Sequence, residues 1–154
     1  MPTQRINSHE TNRESQLRQF YMFPVDHIGI ATRALEDDIK NYEQNFGCVL
    51  DLREEVPSQK VKLAFLKSDN TLIELLTPTD PSSALAKFLD TRGPGIHHIC
   101  FRVPDIKAEL ARLKKLGHKL IDETPRPGAH GSLIAFIHPK STGGALIELC
   151  QRSV

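Results

Sequence analysis

The first half of the chain combines short apolar runs with one stretch of helical periodicity. A strand is predicted over 25–31, where the run is short and apolar. Residues 35–46 repeat their apolar positions with a helical period, which predicts a helix that Gly47 ends. Strands are then predicted over three further runs, 48–56, 60–68 and 71–78.

The second half follows the same order of elements. A strand is predicted over 97–103, and Pro104 is predicted to open a helix over 105–116 that Gly117 ends. Three more strands are predicted, over 118–123, 132–138 and 145–151. Between the halves, the composition of 81–95 is typical of a short helix followed by a Gly/Pro linker.

The two halves are related as an internal repeat. His27 and His98 lie 71 residues apart, and the tripeptide 63–65 matches 134–136 at the same offset. The tetrapeptide 72–75 matches 146–149 at an offset of 74, and a turn in the second half accommodates the extra residues. We therefore predict an α+β fold in which two tandem βαβββ modules form a curved sheet around a metal-binding cleft.

The 154 residues fit one domain behind a polar N-terminal segment. We predict that residues 1–22 form a flexible arm, because they are polar and lack the apolar centre of a secretory signal. The domain is predicted over 23–154. Its parts are a first module at about 25–78, a linker at 79–95 and a second module at about 96–151.

Composition narrows the classes of function. Hydrophobic residues make up 39% of the chain and the formal net charge is +1, which gives no reason to expect a nucleic-acid or membrane partner. The three cysteines, Cys48, Cys100 and Cys150, form no CxxC motif. They are interpreted as reduced thiols, and a cytoplasmic location is expected.

Two histidines and two glutamates are the candidate metal ligands. Glu74 and Glu148 lie inside apolar strands, where an unpaired carboxylate is costly to bury. In two modules related by a pseudo-twofold axis, these carboxylates would converge with His27 and His98. Such a donor set suits a divalent Co²⁺, Mn²⁺, Ni²⁺ or Zn²⁺ ion. His97 is expected to point to the opposite face of its strand, as a packing or outer-sphere residue.

Longer motifs carry a family resemblance over 25–151. The segments DHIGIA (26–31), GIHHICFRV (95–103), PRPGAHG (125–131) and HPKSTGG (138–144) resemble the methylmalonyl-CoA epimerases of the vicinal oxygen chelate superfamily. The resemblance implies a metal-dependent epimerisation of methylmalonyl-CoA between its 2R and 2S forms, an acyl-CoA ligand, cobalt as the favoured metal and a homodimer. It also implies the ligands His27, Glu74, His98 and Glu148, with Glu148 serving as a base too.

Epimerisation by C2 proton abstraction needs a proton donor on the face opposite the base. Some relatives place a glutamate on the third strand of the first module, but that strand has no carboxylate here. Lys62, Glu54 and Glu55 remain open as alternatives.

Four further residues are candidates for substrate contact. Gln59 and His130 are expected near the cleft mouth, because they occupy equivalent positions 71 residues apart. Lys140 and Arg126 are candidates for the CoA phosphates.

Two other functions remain open at this point. One is a glyoxalase I-like lactoylglutathione lyase, which would use the same metal and similar enediolate chemistry, although PRPGAHG argues against it. The other is a non-enzymatic small-ligand-binding member of the superfamily. Such binders typically lack the metal ligands, so the four candidates speak against that reading.

Overall fold

A computed structural model describes residues 22–153, which form one sheet with three helices. The strands are β1 (Val25–Ala31), β2 (Val49–Val56), β3 (Val61–Lys67), β4 (Leu72–Pro78), β5 (Gly95–Arg102), β6 (Arg126–Pro127), β7 (Leu133–Ile137) and β8 (Ile147–Gln151). The helices are α1 (Leu35–Phe46), α2 (Ala84–Arg92) and α3 (Ile106–Lys115). The predicted arm lies outside the described residues, except for Met22.

The sheet reflects the sequence repeat. Its strand order is β2-β3-β4-β1-β5-β8-β7-β6, so the modules meet where β1 and β5 pair antiparallel. On either side, β1 pairs in parallel with β4, and β5 pairs in parallel with β8. The predicted α+β architecture of two duplicated modules is therefore confirmed. The first and last strands of each module are the four central strands of the sheet.

The helices cover one face of the sheet and leave the other for a cavity. Ile39 of α1 packs on Ala64, Leu66 and Leu75. The equivalent helix of the second module is α3, and its Ile106 and Leu110 pack in a separate core. Because side chains alternate across a strand, the residues of β3 on either side of Ala64 point the other way. None of the helices within residues 22–153 is long and apolar enough to span a membrane.

Local signals explain where the helices begin and end. Gly47 closes α1 in the left-handed conformation at φ 66°, as its sequence position predicted. The start of α3 differs from the prediction. Asp105, not Pro104, caps the helix, because its side chain accepts a hydrogen bond from the Ala108 amide at 3.0 Å.

The strand predicted over 118–123 is wrong. This segment forms an isolated bridge between Leu120 and Ile137, and the amides of Ile121 and Asp122 both donate to the Phe136 carbonyl, but no regular ladder forms before the two residues of β6. The Asp122 side chain accepts from the Phe136 amide at 2.9 Å. A carboxylate thus takes the place of a backbone partner here, and the ladder does not continue.

We predict that Ile106→Ala lowers the free energy of unfolding by about 2–5 kcal/mol, because this side chain is fully buried in the α3 core. Urea denaturation measures the loss. Leu116→Ala is the control, since Leu116 is 62% exposed and its loss should change stability by less than about 0.5 kcal/mol. Equal effects of the two substitutions would contradict this assignment of the core.

Candidate metal centre and active site

Four buried side chains converge where the modules meet. The Nε2 atoms of His27 and His98 lie 3.1 Å apart. Glu74 Oε2 lies 3.3 Å from each of these two nitrogens. Glu148 places Oε2 at 3.3 Å from His98 Nε2 and Oε1 at 3.8 Å from His27 Nε2. The structure therefore brings all four predicted ligands together.

The spacing of these atoms fits a single cation. Metal–ligand bonds of about 2.0–2.2 Å place neighbouring ligand atoms roughly 3.0 Å apart in an octahedron and roughly 3.4 Å apart in a tetrahedron. Four of the five distances, at 3.1 and 3.3 Å, lie in that range. Two carboxylates and two neutral imidazoles also present a charge that a divalent ion neutralises. The donor set therefore fits the metal that the sequence predicts.

Strand register explains the convergence. Gly29 of β1 lies between Glu74 on one neighbouring strand and His98 on the other. In the same way, Cys100 of β5 lies between His27 and Glu148. Each small residue is thus flanked by a carboxylate from its own module and an imidazole from the other module.

Gly29 leaves the space that the His98 ring occupies. A Cβ atom at position 29 would lie 2.1 Å from His98 Cε1 and 2.4 Å from its Nδ1. No side chain fits at that distance unless the imidazole moves. A glycine inside a strand often marks a place where another group approaches the backbone closely. Here that group is the imidazole of His98, a predicted metal ligand.

Each imidazole also has an aromatic neighbour. Phe65 meets His27 edge-on with ring centroids 5.3 Å apart, and Phe136 meets His98 in the same way at 5.6 Å. These phenylalanines are repeat mates, and they pair across the sheet with Glu74 and Glu148. In the sequence these phenylalanines belong to the repeated tripeptides, and they share the 71-residue offset of the histidines, which is the signal that could have identified them.

A buried carboxylate orients His27. Asp26 Oδ1 lies 2.8 Å from His27 Nδ1, so that nitrogen is the donor and Nε2 faces the cluster. Arg152 holds Asp26 through Nη2 at 2.5 Å and Nε at 2.9 Å. Burial opposes ionisation of Asp26, but the hydrogen bonds from His27 and Arg152 outweigh it and lower the pKa of the carboxyl.

His97 has the equivalent position beside His98. Its Nδ1 lies 2.9 Å from His98 Nδ1, and its ring packs against Phe88 at 4.8 Å. The expectation that His97 points away from the cleft is wrong, because it lines the cavity. The register of β1 and β5 shifts between Gly29 and Ile30 and skips position 97, so strict alternation fails there. Burial, then the nearby charge of His98, lowers the pKa of His97 to about 4.

The electrostatics of the cluster favour positive charge. Burial disfavours a charged His27, yet hydrogen bonds to Asp26 and Glu74 and the charge of Glu148 raise its pKa to about 10. Glu74 is buried, but hydrogen bonds from His27 and His98 hold its pKa below the usual value. Burial raises the pKa of Glu148. A proton on His27 therefore supplies part of the positive charge that the carboxylates require.

The cluster opens into a cavity of about 340 Å³. Of the predicted substrate-contact residues, Gln59 and Arg126 line it, whereas His130 and Lys140 do not. The backbone N–H of His130 instead donates to Glu54 at 2.8 Å. Substrate contacts by these residues stay predictions.

None of the three open candidates for the second acid or base lines this cavity, namely Lys62, Glu54 and Glu55. The strand β3 contributes only apolar side chains to it, from Val61, Leu63 and Phe65.

The buried Cys100 thiol is a poor alternative ligand. Cys100 forms a second possible metal cluster with Asp26 and His27. Asp26, however, is already paired with Arg152, and burial raises the pKa of the Cys100 thiol. Since the thiolate is the ligand form, a group held as the thiol packs as a small apolar residue.

The duplicated fold agrees with comparison to known families. The model of the Glyoxalase/Bleomycin resistance protein/Dioxygenase superfamily matches residues 26–136, so the chain belongs to that superfamily.

Relatives narrow the family further. The ethylmalonyl-CoA/methylmalonyl-CoA epimerase of Cereibacter sphaeroides is 38% identical over 129 residues, which cover 82% of this chain and 96% of the relative. The methylmalonyl-CoA epimerase structure from Mycobacterium tuberculosis is 41% identical with a TM-score of 0.82, over 85% of this chain and 89% of that one. A methylmalonyl-CoA epimerase in complex with methylmalonyl-CoA and NH4+ is 34% identical with a TM-score of 0.83, over 87% and 97%. Within the superfamily, the chain belongs to the methylmalonyl-CoA epimerase family.

We predict that Gly29→Ala lowers the affinity for Co²⁺ by about 100-fold or more, because the added Cβ displaces the His98 ring. Isothermal titration calorimetry measures the affinity, and His98→Ala defines the full loss of that ligand. Circular dichroism checks that the fold persists. Wild-type affinity in the Gly29→Ala protein would show that the close approach is not needed for metal binding.

We also predict that metal binding releases protons. The pKa of His27 is raised to about 10, so the metal-free protein carries this proton at neutral pH. A cation needs the free Nε2 lone pair, and the apparent affinity for Co²⁺ should rise about tenfold per pH unit between about pH 6 and 9. Calorimetry in buffers of different ionisation enthalpy counts the protons. A pH-independent affinity without proton release would refute the predicted exchange.

Proposed function

We propose that this protein catalyses the metal-dependent epimerisation of methylmalonyl-CoA between its 2R and 2S forms. The observation that carries the proposal is the buried cluster of His27, Glu74, His98 and Glu148, which lines the cavity. Membership of the methylmalonyl-CoA epimerase family supports the substrate and the reaction.

The reaction requires loss of the proton at C2, which lies between a thioester and a carboxylate. A bound divalent cation supplies Lewis-acid stabilisation of the negative charge that develops on the thioester oxygen. His27, His98, Glu74 and Glu148 would hold that cation. Asp26 and His97 would orient the two imidazoles. Asp26 contacts Nδ1 of His27 and His97 contacts Nδ1 of His98, so the Nε2 atom of each ligand imidazole faces the cluster.

Glu148 is proposed as the group that accepts the C2 proton. Its Oε2 lies 3.3 Å from His98 Nε2, whereas its Oε1 lies 3.8 Å from His27 Nε2, so Oε2 would help to hold the cation and Oε1 would be the oxygen that receives the proton. In the metal-free cluster, burial raises the pKa of Glu148, whereas hydrogen bonds from His27 and His98 lower the pKa of Glu74, which favours Glu148 of the two as the proton acceptor.

The walls of the cavity protect this step from water. Leu63, Phe65, Ile134 and Phe136 line it from the two modules. An apolar wall lowers the local dielectric and strengthens the interaction between developing charge and the buried donors. Proton return to C2 then depends on groups inside the cavity, and bulk water competes less.

Three finer features belong to the same proposal. Cobalt as the preferred ion and a homodimer rest on the family likeness, with Zn²⁺, Mn²⁺ and Ni²⁺ as alternative ions. A cytoplasmic location is supported by the cysteines, since Cys48, Cys100 and Cys150 are buried free thiols.

The decisive measurement is exchange of the C2 proton of methylmalonyl-CoA in D₂O, followed by NMR. We expect rapid exchange with Co²⁺, background exchange after chelation, and a loss of about 100-fold or more in kcat for Glu148→Gln. Glu74→Gln is the matched variant, because it makes the same change at the repeat mate. At saturating Co²⁺ it should lose less than about tenfold, because Gln keeps a ligand oxygen.

The same assay separates the competing functions. Turnover of the hemithioacetal of methylglyoxal and glutathione, with no exchange at C2 of methylmalonyl-CoA, would favour a lyase instead. Absence of both activities in Co²⁺-loaded protein would favour a ligand-binding role and overturn the proposal.

A further inference from the structure

Lys60 has a backbone conformation that favours glycine. Its φ is 56°, in the left-handed region, where it follows a 3-10 turn over Pro57–Gln59. Its repeat mate 71 residues later is Gly131, which has a φ of 65°. The equivalent position thus carries a glycine in the second module and a strained lysine in the first. Strain of this kind points to a role for the side chain.

The Lys60 side chain lies at the rim of the cavity. Its Nζ donates to Ser82 Oγ at 2.5 Å, and both residues line the cavity. The Lys60 carbonyl also accepts from the Thr79 amide at 2.9 Å, which fixes the turn against the linker. The ammonium group is therefore held at the mouth by a neutral partner that uses only one of its three protons.

Charge balance distinguishes Lys60 from the arginines of the cavity. Arg152 is paired with the buried Asp26, and Arg126 Nε lies 3.2 Å from Asp122 Oδ1. The carboxylate nearest to Lys60 is Asp80, with Oδ1 at 3.9 Å, and the two side chains are about half exposed. An exposed pair at that distance contributes little. Lys60 is therefore the cavity-lining lysine or arginine of residues 22–153 with the weakest neutralisation.

The cavity volume limits which part of the substrate can lie near the Lys60 ammonium group. About 340 Å³ is near the lower end for ligand pockets and accommodates an acyl group, not a whole acyl-CoA. When the acyl group reaches the metal cluster, the remainder of the thioester must leave through the mouth. Both ends of such a substrate carry oxyanions, the free carboxylate at one end and the nucleotide phosphates at the other.

We propose that Lys60 is a substrate-binding residue that holds an oxyanion of the acyl-CoA at the cavity mouth. The inference rests on the proposed function, because it requires an anionic thioester in this cavity. The contact strengthens binding of the substrate and leaves the C2 chemistry to the metal cluster. Its effect therefore falls on KM and not on kcat.

Three variants of the full-length, Co²⁺-loaded protein test the proposal. Lys60→Met removes the charge and keeps the backbone strain, whereas Lys60→Gly removes both and restores the residue of the repeat mate. Both should raise KM for methylmalonyl-CoA by roughly five- to tenfold with little change in kcat. The melting temperature of Lys60→Gly should not fall. Lys87→Met is the control, because Lys87 is exposed on α2 and does not line the cavity.

A second substrate, methylmalonyl-pantetheine, shows which oxyanion Lys60 binds, because it lacks the nucleotide phosphates and keeps the carboxylate. If the KM effect disappears with it, Lys60 binds phosphate, and if the effect persists, Lys60 binds the carboxylate. An unchanged KM, or a lower melting temperature of Lys60→Met with unchanged KM, would overturn the proposal and leave only the structural contact to Ser82. Inactive wild-type protein would instead show that the proposed function has failed.

Discussion

Burial of Glu74 and Glu148 against two imidazoles is the constraint on which the site depends. A carboxylate removed from water is stable only with positive charge or strong hydrogen-bond donors around it. The structure meets that demand where β1 and β5 pair, the place at which both modules contribute equally. Gly29 provides the space, Phe65 and Phe136 fix the rings, and Asp26 fixes the orientation of His27.

The repeat is most faithful at the four-residue cluster, and the residues beside the imidazoles differ between the halves. His27 matches His98 and Glu74 matches Glu148, as a single ion held between the two halves would require. One step away, Asp26 is matched by His97, a carboxylate by an imidazole. An acyl-CoA has no twofold symmetry, so a site that binds one must differ between its halves. The differences therefore occur where the protein meets the substrate or adjusts the ligands.

Sequence patterns were sufficient for the duplicated fold and for the four convergent ligands. The α1 limits follow from apolar spacing and Gly47, and the convergence follows from the repeat, which matches His27 with His98 and Glu74 with Glu148. Features that depend on register were not accessible in this way. His97 faces the cavity only because the β1–β5 ladder shifts, and the predicted strand at 118–123 fails because Asp122 binds the sheet through its side chain. Neither the register shift nor the side-chain hydrogen bond of Asp122 produces a periodic pattern in the sequence.

The raised pKa of His27 connects the metal-free and metal-bound states. With a proton on His27, the two carboxylates have a positive neighbour, so the cluster can stay assembled before a cation arrives. Its four members also lie on central strands, whereas the cores under α1 and α3 are built from separate apolar residues. Metal binding would then exchange a proton for a cation in a site that is already formed. Small domains that fold only with metal behave differently, because their ligands are not assembled before the metal binds. In those domains, metal binding and folding occur together.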